Sequence, residues 1–91
     1  MIEIYGIPEE VYLCWGCKSA IKLVKSLDLP YEFYKVVKRV DNELGFEYNR
    51  EKIEELAKRL NVNSLKFVYP QIFVDGKHIG GFKNLRDMYD V

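Results

Sequence analysis

The 91-residue chain suits one small domain with a single core, and a single domain over residues 1–91 is the expectation. With 48% hydrophobic and 14% aromatic residues it reads as a packed globule, not a disordered chain. Fourteen basic and fourteen acidic side chains cancel, so no global field draws it to nucleic acid or to an anionic membrane, and partners must be recognised locally.

No apolar run approaches the roughly 20 residues needed to span a bilayer, so no membrane partner is expected. Met1-Ile2-Glu3-Ile4 enters a strand-like segment without a charged and then apolar leader, which points to a reducing cytoplasmic compartment. In that compartment a close cysteine pair is more often catalytic than structural. There is no internal repeat and no low-complexity segment.

Ile2-Glu3-Ile4-Tyr5 alternates and ends at Gly6 with Pro8 beyond, as a strand running into a loop does. The loop Ile7 to Leu13 delivers the chain to Cys14-Trp15-Gly16-Cys17, which holds both cysteines of the molecule. From Trp15 to Asp28 the residues Ala20, Ile21, Val24 and Leu27 share one helical face, with Lys18, Lys22 and Lys25 elsewhere. Pro30 then stops the helix. Two thiols at this spacing on a helix start lie about one turn apart on one face, and can close a disulfide or open to a dithiol with little backbone movement. The helix N-terminus favours thiolate over thiol at the first cysteine. A structural zinc site is disfavoured, because His78 is the single histidine and lies far along the chain. So short a loop gives a structural disulfide little entropic effect. A redox pair is the reading that remains.

Tyr31 to Val37 is rich in aromatic and β-branched residues and reads as a second strand, completing a parallel βαβ unit with the pair beyond the carboxyl end of its first strand. Lys38 to Tyr48 is charged, holds Gly45 and has no clear period; it reads as an exposed loop with Leu44 and Phe46 tucked inward. Asn49 is a candidate N-cap, with Glu51 in the first turn. Ile53, Leu56, Ala57 and Leu60 then follow the amphipathic spacing up to Asn61. A connector from Val62 to Phe67 leads to Val68–Val74, in which Pro70 must stand at a strand start. Asp75-Gly76 between two apolar runs signals a hairpin. Gly80-Gly81 precedes a short terminal helix with Leu85, Met88 and Tyr89 on one face, and leaves free amides at its entrance.

This order of strand, CxxC, helix, strand, helix, X-Pro strand, hairpin, Gly-Gly and helix resembles the glutaredoxins of the thioredoxin superfamily over essentially the whole chain. The segment from Tyr69-Pro70-Gln71 to Gly80-Gly81-Phe82 is similar to the family's threonine-valine-proline and glycine-glycine segments in their usual spacing. The charged loop and the Gly-Gly-Phe segment look most like the small phage-type glutaredoxins that serve ribonucleotide reductase. The resemblance implies an α/β, thioredoxin-like fold: a four-stranded mixed sheet flanked by three helices.

It also implies roles. Cys14 matches the nucleophile and Cys17 the resolving cysteine. Pro70 matches a cis proline facing the sulfurs, and Tyr69 the residue whose backbone pairs with the cysteinyl part of glutathione. Gly81, Phe82, Lys83 and Asn84 match the helix entrance that holds the γ-glutamyl carboxylate. The chain departs from the family in several places. The usual Cys-Pro-Tyr-Cys is Cys14-Trp15-Gly16-Cys17, the basic residue before the first cysteine is Leu13, and Lys83 and Asn84 replace an acidic residue. Lys18 and Lys22 are near enough to replace part of the missing charge; for Lys18 solvation competes with a direct role, and for Lys83 surface charge competes with pairing to glutathione. Trp15 must be largely exposed if the thiols are, as a partner contact. Tyr12 is a candidate flank of the site, whereas Tyr5 is expected under the sheet and His78 exposed on a strand without a catalytic role. Glu3 and Glu32 are candidate proton acceptors for Cys17, with solvated positions the safer reading.

The expected activity is a glutathione-linked thiol–disulfide oxidoreductase. Cys14 attacks a protein or glutathione mixed disulfide, and either Cys17 or glutathione resolves the intermediate. Glutathione is the expected reductant, no metal is expected, and the partners are disulfide-containing proteins, ribonucleotide reductase among them, acted on by a monomer. Three alternatives stay open: a carrier holding a [2Fe-2S] cluster between two chains through Cys14 and two glutathiones, a thioredoxin-like donor reduced by a flavoprotein, and an interaction module that kept the fold without the catalysis.

Overall fold

The structure, a computed structural model, describes residues 1–89. Its elements in chain order are β1 (Ile2–Gly6), α1 (Trp15–Ser26), β2 (Tyr31–Lys35), β3 (Val37–Arg39), β4 (Phe46–Tyr48), α2 (Arg50–Leu60), β5 (Gln71–Val74), β6 (Lys77–Gly80) and α3 (Phe82–Met88). Four strands form one mixed sheet in the order β2-β1-β5-β6, with β1 parallel to β2 and antiparallel to β5. With three helices around that sheet, the fold is thioredoxin-like.

The alternation of β1 decides what each helix covers, because successive side chains of a strand point to opposite faces. Ile2 and Ile4, with Ile72 of β5, pack against Ala20 and Val24 of α1 and Leu85 of α3. Tyr5 and Phe73 pack on the other face against Ile53 and Leu56 of α2. All of these side chains are buried, and each large aliphatic among them contributes about 1.5–3 kcal/mol. The α2 face also carries a polar network. The Arg59 guanidinium forks onto both carboxylate oxygens of Glu3 at 2.9 and 3.0 Å. The Tyr34 hydroxyl donates to Glu3 at 2.9 Å, and the Tyr5 hydroxyl donates to Glu55. Arg59 also stacks 3.8 Å from the centre of the Phe73 ring.

The turn at Asp75-Gly76 has φ of 52° and 82°, which suits a primed hairpin, and His78 is exposed on β6. Asn49 caps α2 by accepting the Lys52 amide.

Five expectations are corrected. The second strand ends at Lys35, because the Val36 amide donates to the Gly6 carbonyl while its own carbonyl accepts from Asn49. The segment 38–48 is not a loop throughout: β3 and β4 pair antiparallel as a separate ribbon, with Val37 opposite Tyr48 and Arg39 opposite Phe46. Leu44 is not tucked inward but 75% exposed at the ribbon's tip, while Phe46 is half-buried edge-on to Tyr48. At the end of α1, Asp28 takes the left-handed conformation (φ 55°), which leaves Leu27 exposed and packs Leu23 and Leu29 against the core instead. In α3 the expected face holds for Leu85 and Tyr89, whereas Met88 is exposed.

Candidate active site

β1 ends at Gly6 at the edge of the core, and the loop that follows returns the chain to the start of α1. Cys14 is the N-cap of α1 and Cys17 lies in its first turn, so their Cα atoms are 5.3 Å apart and the sulfurs are joined as a disulfide. Burial separates the two. Cys17 is 1% exposed, whereas Cys14 is half-buried at the surface. Cys14 therefore presents the more accessible sulfur.

The Cys17 amide points at Cys14 Sγ from 3.3 Å, and the Ile7 amide points at Cys17 Sγ from 3.5 Å. An N–H aimed at sulfur at a helix N-terminus stabilises negative charge there, which is what a thiolate nucleophile requires. On its other side Cys14 Sγ lies 3.7 Å from the Tyr69 carbonyl oxygen. The Tyr69–Pro70 peptide bond is cis, and Pro70 directly precedes β5. Gly16 fits against this segment: a Cβ at that position would stand 2.7 Å from Pro70 Cδ and 3.9 Å from Phe82 Cβ. The structure thus brings Cys14, Gly16, Cys17, Tyr69, Pro70 and Phe82 together, with Gly81 against the Pro70 carbonyl.

The remaining candidates are placed differently. Lys18 pairs with Glu9 at 3.1 Å and lies 5.8 Å from the Trp15 ring centre, so its ammonium is engaged by a neighbouring carboxylate. Trp15 is 69% exposed beside the disulfide, and Tyr12 equally so on the preceding loop. Lys83 is exposed on α3, and Asn84 turns back to donate to the Ile79 carbonyl at 2.7 Å. His78 Nε2 donates to the Gln71 side-chain carbonyl oxygen at 2.7 Å. Glu3 belongs to the α2 face, where the Arg59 hydrogen bonds hold its carboxyl below the ordinary carboxylate range; Glu32 is exposed. Neither approaches Cys17, which packs beside Gly6. Among the described residues no charged side chain is buried.

Gly6 is the site residue that sequence reasoning missed. A Cβ there would lie 3.0 Å from Cys17 Sγ and 2.9 Å from the Phe33 ring, so only a glycine leaves room for the buried sulfur. Its signal was present as a glycine at the end of a strand, where close approach of another group is a standing reason for the residue. Two cavities border this region. One of about 430 Å³ is lined by Ile7, Leu13, both cysteines and lysines of α1, and one of about 580 Å³ by Tyr48, Leu65, Phe67 and Tyr69 among others.

No family model matches the chain. An uncharacterized 11.8 kDa protein of Enterobacteria phage T4 is 43% identical over 86 residues, covering 94% of this chain and 81% of that protein. The glutaredoxin of Enterobacteria phage T4 is 33% identical over 91 residues, covering 98% of this chain and 99% of the relative. The chain belongs to the glutaredoxins, within the thioredoxin superfamily. Among solved structures, buckwheat glutaredoxin in complex with glutathione superposes with a TM-score of 0.63 at 18% identity, covering 98% of this chain and 67% of that one. This glutaredoxin is a thiol–disulfide oxidoreductase, and Cys14-Trp15-Gly16-Cys17 is its CxxC pair. No helix among its described residues is long and apolar enough to cross a membrane.

Proposed function

We propose that this glutaredoxin couples the Cys14–Cys17 dithiol to glutathione and reduces protein disulfides and glutathione mixed disulfides in the cytoplasm. One observation carries the reading: Cys14 Sγ lies 3.7 Å from the Tyr69 carbonyl, and among the described residues no protein group pairs with the Tyr69 amide. An extended γ-glutamyl-cysteinyl-glycine chain laid antiparallel to residue 69 would meet that amide and carbonyl with its cysteinyl backbone, setting its sulfur beside Cys14. Gly16 supports the fit, since a side chain there would press into the same Pro70 surface. Buckwheat glutaredoxin, of the same fold, is known as a glutathione complex.

In this reading Cys14 is the nucleophile, because it is the sulfur at the surface, and Cys17 the resolving group. Tyr69 and Pro70 hold the cysteinyl part of glutathione. Gly81 and Phe82, with the Lys83 ammonium, receive its γ-glutamyl end; Asn84 serves by fixing β6 to α3. Trp15, exposed beside the disulfide, contacts the substrate. Every residue named comes from one chain, so a monomer suffices. Ribonucleotide reductase is the protein substrate suggested by the resemblance to phage-type glutaredoxins.

Trapping tests the assignment. Cys17→Ser protein mixed with oxidised glutathione is expected to gain the mass of one glutathionyl group, on Cys14 by peptide mapping, whereas Cys14→Ser stays unmodified. A glutathionyl group found on Cys17 in Cys14→Ser, with none on Cys14, would reverse the roles.

A further inference from the structure

The Tyr69 and Pro70 surface lies on one side of Cys14 and leaves the other side unexplained. There the disulfide borders the cavity of about 430 Å³, to which Tyr69, Pro70 and Phe82 contribute nothing. Its apolar wall is Ile7, Leu13 and Ile21, and its rim is Lys18, Lys22 and Lys25. Helix α1 carries these three lysines and no acidic residue, in a chain whose charges cancel overall. One acid, Glu9, reaches the rim, and it pairs with Lys18. Lys22 and Lys25 are exposed and form no ion pair among the described residues.

We infer that this cavity docks an acidic segment of a disulfide-bearing protein substrate, with an apolar side chain seated on Ile7, Leu13 and Ile21 and carboxylates facing Lys22 and Lys25. Charge complementarity selects the occupant: a lysine rim over an apolar floor attracts acidic chains, speeds their encounter and repels basic ones. The inference rests on thiol–disulfide exchange at Cys14 and is independent of glutathione. The docked disulfide is attacked by the Cys14 thiolate; its S–S bond breaks, and the departing sulfur takes a proton from water. The Cys17 thiolate then attacks Cys14 Sγ, which expels the substrate's second sulfur and closes the Cys14–Cys17 disulfide. Two electrons have passed from the dithiol to the substrate. Substrate protein and glutathione thereby approach Cys14 from different sides.

The test uses chemically reduced enzyme and two disulfide peptides of equal length, one with aspartates and a leucine beside the cysteine and one neutral, together with a glutathione mixed disulfide. The acidic peptide is expected to be reduced with a KM about tenfold lower than the neutral one, an advantage that fades as salt rises. Lys22→Gln with Lys25→Gln is expected to remove that advantage without changing turnover of the neutral peptide or the glutathione mixed disulfide. Glu9→Gln, which frees Lys18, is expected to enlarge it. Equal KM values for the two peptides, or lysine variants that lose all three substrates together, would overturn the docking site. If the acidic preference stands while glutathione mixed disulfide is not reduced, the glutathione reading fails and the docking site survives.

Discussion

Gly16 lies so close to Pro70 that a single methyl group added to it would stand 2.7 Å from the ring's Cδ, nearer than a Cβ contact tolerates. The atom it would meet belongs to a ring fused to the backbone, which has no rotamer with which to yield. Gly16→Ala is therefore expected to push the CxxC turn away from Pro70. Forced overpacking costs about 1–3 kcal/mol, and a displacement near 1 Å at a reacting sulfur lowers turnover by about ten- to a hundredfold. Urea unfolding beside steady-state turnover checks this; unchanged turnover would show that the turn does not rest on Pro70.

The Glu3–Arg59 pair behaves differently, because it lies on the α2 face of the sheet, away from the sulfurs. Its side chains are 20% and 24% exposed, so solvent screens it in part. Arg59→Ala leaves Glu3 without its fork and uncovers the Phe73 ring, and is expected to cost about 2 kcal/mol in urea unfolding. Reduction of a mixed disulfide at 25 °C is expected to stay within about twofold of wild type. A selective loss of turnover would couple this network to the site.

The same network sets the pH range of stability. Hydrogen bonds from Arg59 and from Tyr5 lower the carboxyls of Glu3 and Glu55, respectively, below their ordinary 4.5. Their contribution is complete above that value and is lost as pH falls through the lowered ones. Burial, and then the hydrogen bond to Glu55, push the Tyr5 hydroxyl up to about 12. Its contribution is complete below the ordinary 10.0 and is lost as pH rises from there toward 12. The midpoint of thermal unfolding is expected to fall on both limbs; Glu3→Gln flattens the acid limb and Tyr5→Phe the alkaline one. Limbs unaltered by these changes would assign the pH dependence elsewhere.

Most elements of the main fold were legible because each carries a local signal. These are the alternation ending at Gly6, the amphipathic repeat of α2, the Asp75-Gly76 turn, and Pro70 at a strand start. The β3–β4 ribbon was not legible, because its strands have three residues each and bury only Val37, so no periodicity develops. A turn signal was nevertheless present: Asn42 closes on Gly45, which has φ 79°, through both its carbonyl and its side chain. Leu27 was misplaced because helical spacing says nothing about where the helix stops: α1 ends at Ser26, with Leu27 its C-cap and Asp28 turning the chain away. At the site both cysteines, Tyr69 and Pro70 could be read from spacing and resemblance. The role of Gly6 depends on a contact with Cys17 across eleven positions, and the engagement of Asn84 with Ile79 on a fold-back of α3. Neither is encoded in a local pattern.

The central claim is glutathione-dependent exchange at Cys14, and steady-state reduction of a small glutathione mixed disulfide, coupled to glutathione and its reductase, tests it most directly. Wild type is expected to turn over, Cys14→Ser to lose activity by at least about a thousandfold, and Cys17→Ser to retain a substantial fraction, because glutathione can resolve the Cys14 mixed disulfide. Folded, fully reduced wild type with no turnover, or Cys14→Ser with undiminished turnover, would contradict it.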